Sequence, residues 1–167
     1  MAKKAAPTFE ELVARMAPIH EKLRRRRLTV AAAESCTGGL LGAVLTAHGG
    51  SSAYFRGGAV VYSDDAKKIL ADVAPQLIHS HGAVSSVVAG ALARGSRVRL
   101  DAKIGLGITG ISGPSGATPG KPVGLTYVAV DSDKHSAVKK HQWTFDRAGN
   151  RLASVGAALD LLEDAIG

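Results

Sequence analysis

The stretch that decides the fold is Ala33-Glu34-Ser35-Cys36-Thr37-Gly38-Gly39. A nearly continuous apolar run, Leu28 to Ala33, leads into it, the pattern of a strand buried on both faces. A helical pattern leads out of it through Leu40, Leu41, Val44 and Leu45. A strand that turns into a helix at a Gly pair leaves backbone N–H groups at the helix start, where the helix dipole favours an anion. Ser35, Cys36, Thr37 and Glu34 crowd that corner. Ser35 reads equally well as a turn residue and Thr37 as a helix N-cap. The rest of the chain has to separate these readings.

Working outward, the N-terminal side predicts an amphipathic helix over Phe9 to Arg26. Thr8 and Glu11 form a capping box, and Leu12, Met16, Ile19 and Leu23 make the apolar stripe. Pro18 is expected to kink or split it. On the C-terminal side the expected elements are a helix over Gly38 to His48, a Gly-rich connection over Ser51 to Gly58 and a short strand over Ala59 to Tyr62. A short helix capped by Ser63 or Asp64 follows and ends at Pro75. His79 to Val84 reads as a connector, and Ser85 opens a helix to Arg97. A third strand runs from Ala102 to Thr109. Val123 to Val130 and Ser136 to Phe145 form a hairpin, and Asp146 caps a last helix, Arg147 to Ile166. Early βαβ alternation followed by a hairpin implies an α/β domain with a mixed sheet and helices on both faces. The N-terminal helix, residues 1–27, belongs to the same single domain as residues 28–167.

Composition narrows the class. The 167 residues are 46% hydrophobic and 21% charged, with 20 glycines and 4% aromatics, so the core is built from Ala, Val, Leu and Ile. The single cysteine makes an internal disulfide impossible and suits a reducing compartment. Met1 to Pro7 lacks the apolar segment of a signal peptide, and no apolar run of about 18 residues is present. A cytoplasmic protein with no membrane partner is expected. The net charge of +7 permits nucleic-acid binding. However, the densest cluster, Arg24 to Arg27, closes a helix, where cations are favoured anyway. No aromatics interleave with it to stack bases.

Two pattern matches fail on context. Gly105-Leu106-Gly107-Ile108-Thr109-Gly110 fits G-x-G-x-x-G, but the segment behind it, Ser112 to Pro122, cannot open the required helix. Gly120-Lys121 is followed by Pro122, and Ser115 stands where a P-loop needs its first glycine. One Cys and the His79/His81 pair give no convincing metal set. Cys36 ranks second as a nucleophile for want of a His partner.

The sharper constellation joins Ser35, then Tyr62 with Lys67 one turn into the next helix, then the loop Gly110 to Pro122 with Thr109, Ser112, Ser115 and Thr118. All lie at predicted carboxyl ends of strands, where open α/β sheets bind ligands. Lys67 can serve as the base a serine nucleophile needs. The loop can bring backbone N–H groups to a phosphate or an oxyanion. The same spacing also suits a solvated lysine and a flexible connector.

Five motifs in order resolve the choice: Ala33 to Gly39; Gly58-Ala59-Val60-Val61-Tyr62-Ser63-Asp64-Asp65-Ala66-Lys67; His81-Gly82-Ala83-Val84-Ser85; Thr109-Gly110-Ile111-Ser112-Gly113-Pro114; and Lys121-Pro122-Val123-Gly124. Together they resemble the CinA C-terminal domain, the nicotinamide-nucleotide amidohydrolase (PncC-like) family, from about Leu28 to Ile166. The resemblance implies a three-layer α/β/α domain that assembles as a homo-oligomer. It also implies hydrolysis of the carboxamide of nicotinamide mononucleotide (NMN) to nicotinic acid mononucleotide and ammonia, with neither cofactor nor metal. It puts the family's catalytic serine, tyrosine and lysine at Ser35, Tyr62 and Lys67. Thr37, Gly38, Gly39, Arg56, Thr109, Gly110, Ser112, Gly113 and Lys121 are the expected substrate contacts. Full-length relatives carry a further N-terminal domain with an ADP-ribose pyrophosphatase activity, which is not expected of this sequence. The rival readings are an amidase on another amide or nucleotide, and a non-enzymatic, competence- or DNA-damage-associated nucleic-acid binder.

Overall fold

The computed structural model describes residues 5–167, so the signal-peptide reading of Met1 to Pro7 lies partly outside the described residues. Five strands form one sheet in the order β2-β1-β3-β4-β5. They are β1 (Val30–Glu34), β2 (Phe55–Val60), β3 (Ile104–Gly110), β4 (Leu125–Ser132) and β5 (Ser136–Gln142). β1 is parallel to both β2 and β3, while β3–β4 and β4–β5 are antiparallel. The sheet is therefore mixed, as the alternation implies.

Among the described residues six α-helices cover it: α1 (Phe9–Arg26), α2 (Leu40–Leu45), α3 (Asp64–Ala71), α4 (Pro75–His81), α5 (Ser86–Arg99) and α6 (Arg147–Ile166). One face, through Val30, Ala32, Leu106, Ile108 and Val128, buries the apolar stripes of α1, α2 and α6. The other face packs Ala33 and Ala129 against α3 and α5, with α4 against α5. This is a three-layer α/β/α domain. No described helix is long and apolar enough to cross a membrane.

Local chemistry explains most boundaries. The Thr8–Glu11 capping box is formed in both directions, at 3.1 and 2.7 Å. Ser63, Ser85 and Asp146 each cap a helix with a side-chain oxygen. Pro18 does not split α1, which runs on to Arg26. Pro75 opens α4 rather than ending a helix, because a first-turn residue has no intrahelical partner for its N–H. His79 and His81 thus lie in the last turn of α4 and not in a connector.

Two differences matter for the site. The second half of the Gly-rich connection belongs to strand β2, which begins at Phe55 and ends at Val60, two residues before the expected end at Tyr62; its first half, Ser51–Ala53, is a turn of 3-10 helix. A register irregularity between Val30 and Ala31 accommodates Gly57, whose φ is 145°. Second, α2 is shorter than its apolar pattern, since Gly38 and Gly39 sit at φ 60° and 100°, outside the helix. The glycines of the chance G-x-G match also find their reason. A Cβ on Gly105 would lie 1.9 Å from the Ala93 carbonyl oxygen, and one on Gly107 would lie 2.4 Å from that of Ala89. They let α5 lie directly on β3.

Candidate active site

Ser35 follows β1, Tyr62 follows β2, and Thr109, Gly110 and Ser112 end or follow β3. Parallel β1, β2 and β3 bring these three ends to one edge of the sheet. There they line a cavity of about 280 Å³ with Cys36, Asp64, Lys67, Gly113, Ser115 and Arg147. The volume is just under the usual range for small-molecule sites, roughly 300–1,000 Å³.

Lys67 is the unusual group. Only 2% of its surface is exposed. Its Nζ lies 3.7 Å from Asp64 Oδ1 and 3.5 Å from the Ser63 carbonyl oxygen, with no closer ion pair. Burial pushes its pKa below the usual lysine value of 10.5, and Asp64 opposes the shift. The neutral amine, which can take a proton, is thereby made more accessible. Ser35 is buried, with its N–H held by the Ile108 carbonyl at 3.0 Å. Tyr62 is 60% exposed at the rim, and its hydroxyl accepts from Arg147 Nη2 at 3.0 Å.

Cys36 differs from its neighbour Ser35. Burial lifts its thiol to about 11, the nearby Glu34 carboxylate adds to the rise, and the Ser112 hydroxyl and Arg151 oppose it. The thiol stays protonated at neutral pH, which disfavours it as a nucleophile.

The expected anion site at the start of α2 is already filled from within. Glu34, 3% exposed, accepts from Thr37 Oγ1 at 2.6 Å, from the N–H groups of Gly39 and Leu41 at 3.2 and 3.0 Å, and from that of Gly42 at 2.8 Å. Thr37 is thus not the N-cap, a position taken by Gly39. Thr37, Gly38 and Gly39 do not line the cavity; they form the elbow that carries Ser35. Arg151 of α6 ties that elbow down through the carbonyls of Cys36 and Thr37, at 3.2 and 2.9 Å.

Two further expected contacts lie outside the cavity. Arg56 is exposed on edge strand β2. Lys121 donates to the His81 carbonyl at 2.8 Å and fastens the glycine loop to α4. Thr109 lines the cavity, but its hydroxyl is engaged with the Ala83 carbonyl at 2.8 Å. Ser112 is buried and lines the cavity.

Sequence reasoning missed Arg147. It donates to the Gly113 carbonyl at 2.7 Å as well as to Tyr62, so it bridges the glycine loop and the end of β2. Its only signal in the sequence was its place directly after the Asp146 cap. Among the described residues no group of three His, Cys, Asp or Glu is placed to hold a metal ion.

An α/β domain with a polar cavity at the carboxyl ends of parallel strands, lined by a serine and a buried lysine, has the architecture of a small-molecule site. The chain belongs to the CinA C-terminal domain family, which matches residues 13–166. A CinA-like protein of Acidobacterium capsulatum is 51% identical over 140 residues, covering 84% of this chain and 34% of that protein. The chain therefore spans about a third of the length of the curated relatives it matches. Among solved structures, the competence/damage inducible protein CihA of Agrobacterium tumefaciens is 34% identical. It superposes with a TM-score of 0.88 over 97% of this chain and 98% of its own. A competence-damaged protein (CinA) superfamily protein of Escherichia coli is 30% identical, with a TM-score of 0.87 over 95% and 90%.

Proposed function

We propose that this chain hydrolyses the carboxamide of NMN to nicotinic acid mononucleotide and ammonia. The observation that carries the reading is that Ser35 and the buried Lys67 line the same cavity. Amide hydrolysis needs a nucleophile, a proton carrier and donors for the developing oxyanion. Neutral Lys67 takes the Ser35 Oγ proton as the oxygen attacks the carboxamide carbon. The C–N bond breaks, the proton passes to the leaving nitrogen, and ammonia departs. Water, deprotonated by the same amine, then hydrolyses the ester on Ser35 and restores the hydroxyl. The sum is one amide and one water giving one acid and one ammonia.

The oxyanion falls to the glycine loop in this reading. The N–H groups from Gly38 to Gly42 are already used within the elbow. Those of Ser112 and Gly113 have no acceptor among the described residues. The Tyr62 hydroxyl accepts from Arg147, which leaves its own hydrogen free to donate. Arg147 supplies the fixed positive charge for the substrate phosphate, a role that Arg56 and Lys121 are too remote to fill.

Ammonia release from NMN by the wild type and by Ser35→Ala tests this directly. Release by the wild type and loss in a folded variant supports the reading. Absence of release from the wild type refutes it.

A further inference from the structure

The pole of the sheet opposite the candidate active site holds a second cavity, of about 340 Å³. β3 runs from one to the other: Ile104, its first residue, lines this cavity, and Gly110, its last, lines the first. At about 3.3 Å per residue the two sites stand roughly 20 Å apart.

The lining combines two chemistries. Leu28, Ile104 and Ile166 give an apolar floor, and Ile104 and Ile166 belong to the core. Arg26, Lys103 and Lys134, from the end of α1, the approach to β3 and the β4–β5 turn, give a basic rim. One carboxylate, Asp133, reaches the rim, and it is held by Arg97 at 2.9 Å. Among the described residues neither Lys103 nor Lys134 has a carboxylate within ion-pair distance. Arg26 spends one guanidinium nitrogen on the Ile166 carbonyl and keeps further N–H donors. The Arg24 to Arg27 run, which the candidate active site leaves unexplained, ends at this pole and raises its positive potential.

We propose that this cavity is a second ligand site, for a nucleoside phosphate, whose base lies on the apolar floor and whose phosphate meets Arg26, Lys103 and Lys134. Three cations on the lining of one cavity exceed what a single carboxylate or sulfonate needs. The floor beneath them is apolar, and a ligand that fits has to meet both surfaces. A planar base carrying a multiply charged phosphate satisfies both. Phosphate oxygens are recognised well by guanidinium and ammonium donors together.

The probe is adenosine 5′-monophosphate (AMP), titrated calorimetrically into the wild-type chain at low ionic strength, with inorganic phosphate in parallel. The expected result is one submillimolar site for AMP, at least tenfold tighter than for phosphate. In Lys103→Glu/Lys134→Glu, affinity falls at least tenfold, with an intermediate loss in Lys103→Gln/Lys134→Gln should the double reversal disturb the fold. Arg147→Ala binds AMP like the wild type. Absence of saturable binding overturns the proposal. Equal affinity for AMP and phosphate overturns the assignment of a nucleoside. Loss in Arg147→Ala with binding retained in Lys103→Glu/Lys134→Glu places AMP in the other cavity and overturns the second site.

Discussion

Arg147 Nη2 donates to the Tyr62 hydroxyl at 3.0 Å, joining the start of α6 to the end of β2 across 85 residues of chain. Its other terminal nitrogen holds the Gly113 carbonyl at 2.7 Å. One guanidinium thus fixes two walls of the cavity and presents its charge to the interior. Arg147→Ala should raise the KM for NMN about 10- to 100-fold, the range for losing hydrogen bonds to a charged group. Arg147→Lys should recover little of it, because an ammonium cannot span both acceptors in a planar fork. Steady-state ammonia release reads both variants.

Glu34 predicts a different phenotype. Its carboxylate gathers one hydroxyl and three backbone N–H groups in a site that excludes water. Glu34→Ala leaves all four donors without a partner, each worth about 1 kcal/mol or more when buried. Unfolding free energy should fall by about 3 kcal/mol or more in chemical denaturation. Glu34→Gln should fall between, since its amide oxygen accepts some of these bonds while its NH₂ faces donors. A Glu34→Ala variant as stable as the wild type would remove Glu34 from its structural role.

Much of this site was legible in the sequence, and each miss has its own physical cause. Ser35, Tyr62 and Lys67 were readable because parallel strands align their ends and because the five motifs resemble those of the CinA C-terminal domain; the spacing alone suits a solvated lysine as well. The elbow was misread because nothing in Glu34-Ser35-Cys36-Thr37-Gly38-Gly39 says which way the Glu34 side chain turns. Pointed inward, it consumes the donors that were assigned to a substrate. β2 was shortened because Gly57 and Gly58 look like a turn, whereas an edge strand beside Ala31 and Ala32 tolerates them. Arg147 needed the tertiary fold, because its partners lie far away in the chain.

Lys67 should show an exchange between stability and activity. A lysine 2% exposed and 3.7 Å from its nearest carboxylate gains little from its charge. Its lowered pKa means that the folded state releases this proton more readily than the unfolded chain, so this group opposes folding below its folded pKa and ceases to do so as pH rises to 10.5. Lys67→Met should abolish ammonia release while raising stability at pH 7 by about 1 kcal/mol. Activity of the wild type should climb with pH along a limb whose midpoint lies below 10.5. Asp64→Asn should move that midpoint lower still, because Asp64 opposes the shift. A midpoint that moves upward in Asp64→Asn would contradict Lys67 as the base.

Cys36 should prove quiet. With its thiol lifted to about 11, only about one molecule in ten thousand carries a thiolate at pH 7. Alkylation by iodoacetamide at pH 7, followed by mass spectrometry, should be far slower than for a free thiol. Cys36→Ala should keep most of the ammonia release, at a modest cost in packing. Loss of all activity in a folded Cys36→Ala would return the nucleophile's role to the thiol.

The glycines of β3 carry the last prediction. Had Gly105 and Gly107 served a phosphate loop, small substitutions would spare stability and hurt ligand binding. In this fold a Cβ at Gly105 meets the Ala93 carbonyl at 1.9 Å and the Arg97 Cβ at 2.7 Å. Either α5 moves off the sheet or the strand shifts, and neither backbone can yield cheaply. Gly105→Ala should therefore cost about 1–3 kcal/mol, the range for overpacking a tight interface. Gly120→Ala offers the contrast. No heavy atom lies within 4 Å of a Cβ there, but its φ of 77° leaves a strain of about 1 kcal/mol from conformation alone. Denaturation midpoints should place Gly105→Ala below Gly120→Ala; the reverse order would show that α5 does not rest on β3 as closely as the glycines allow.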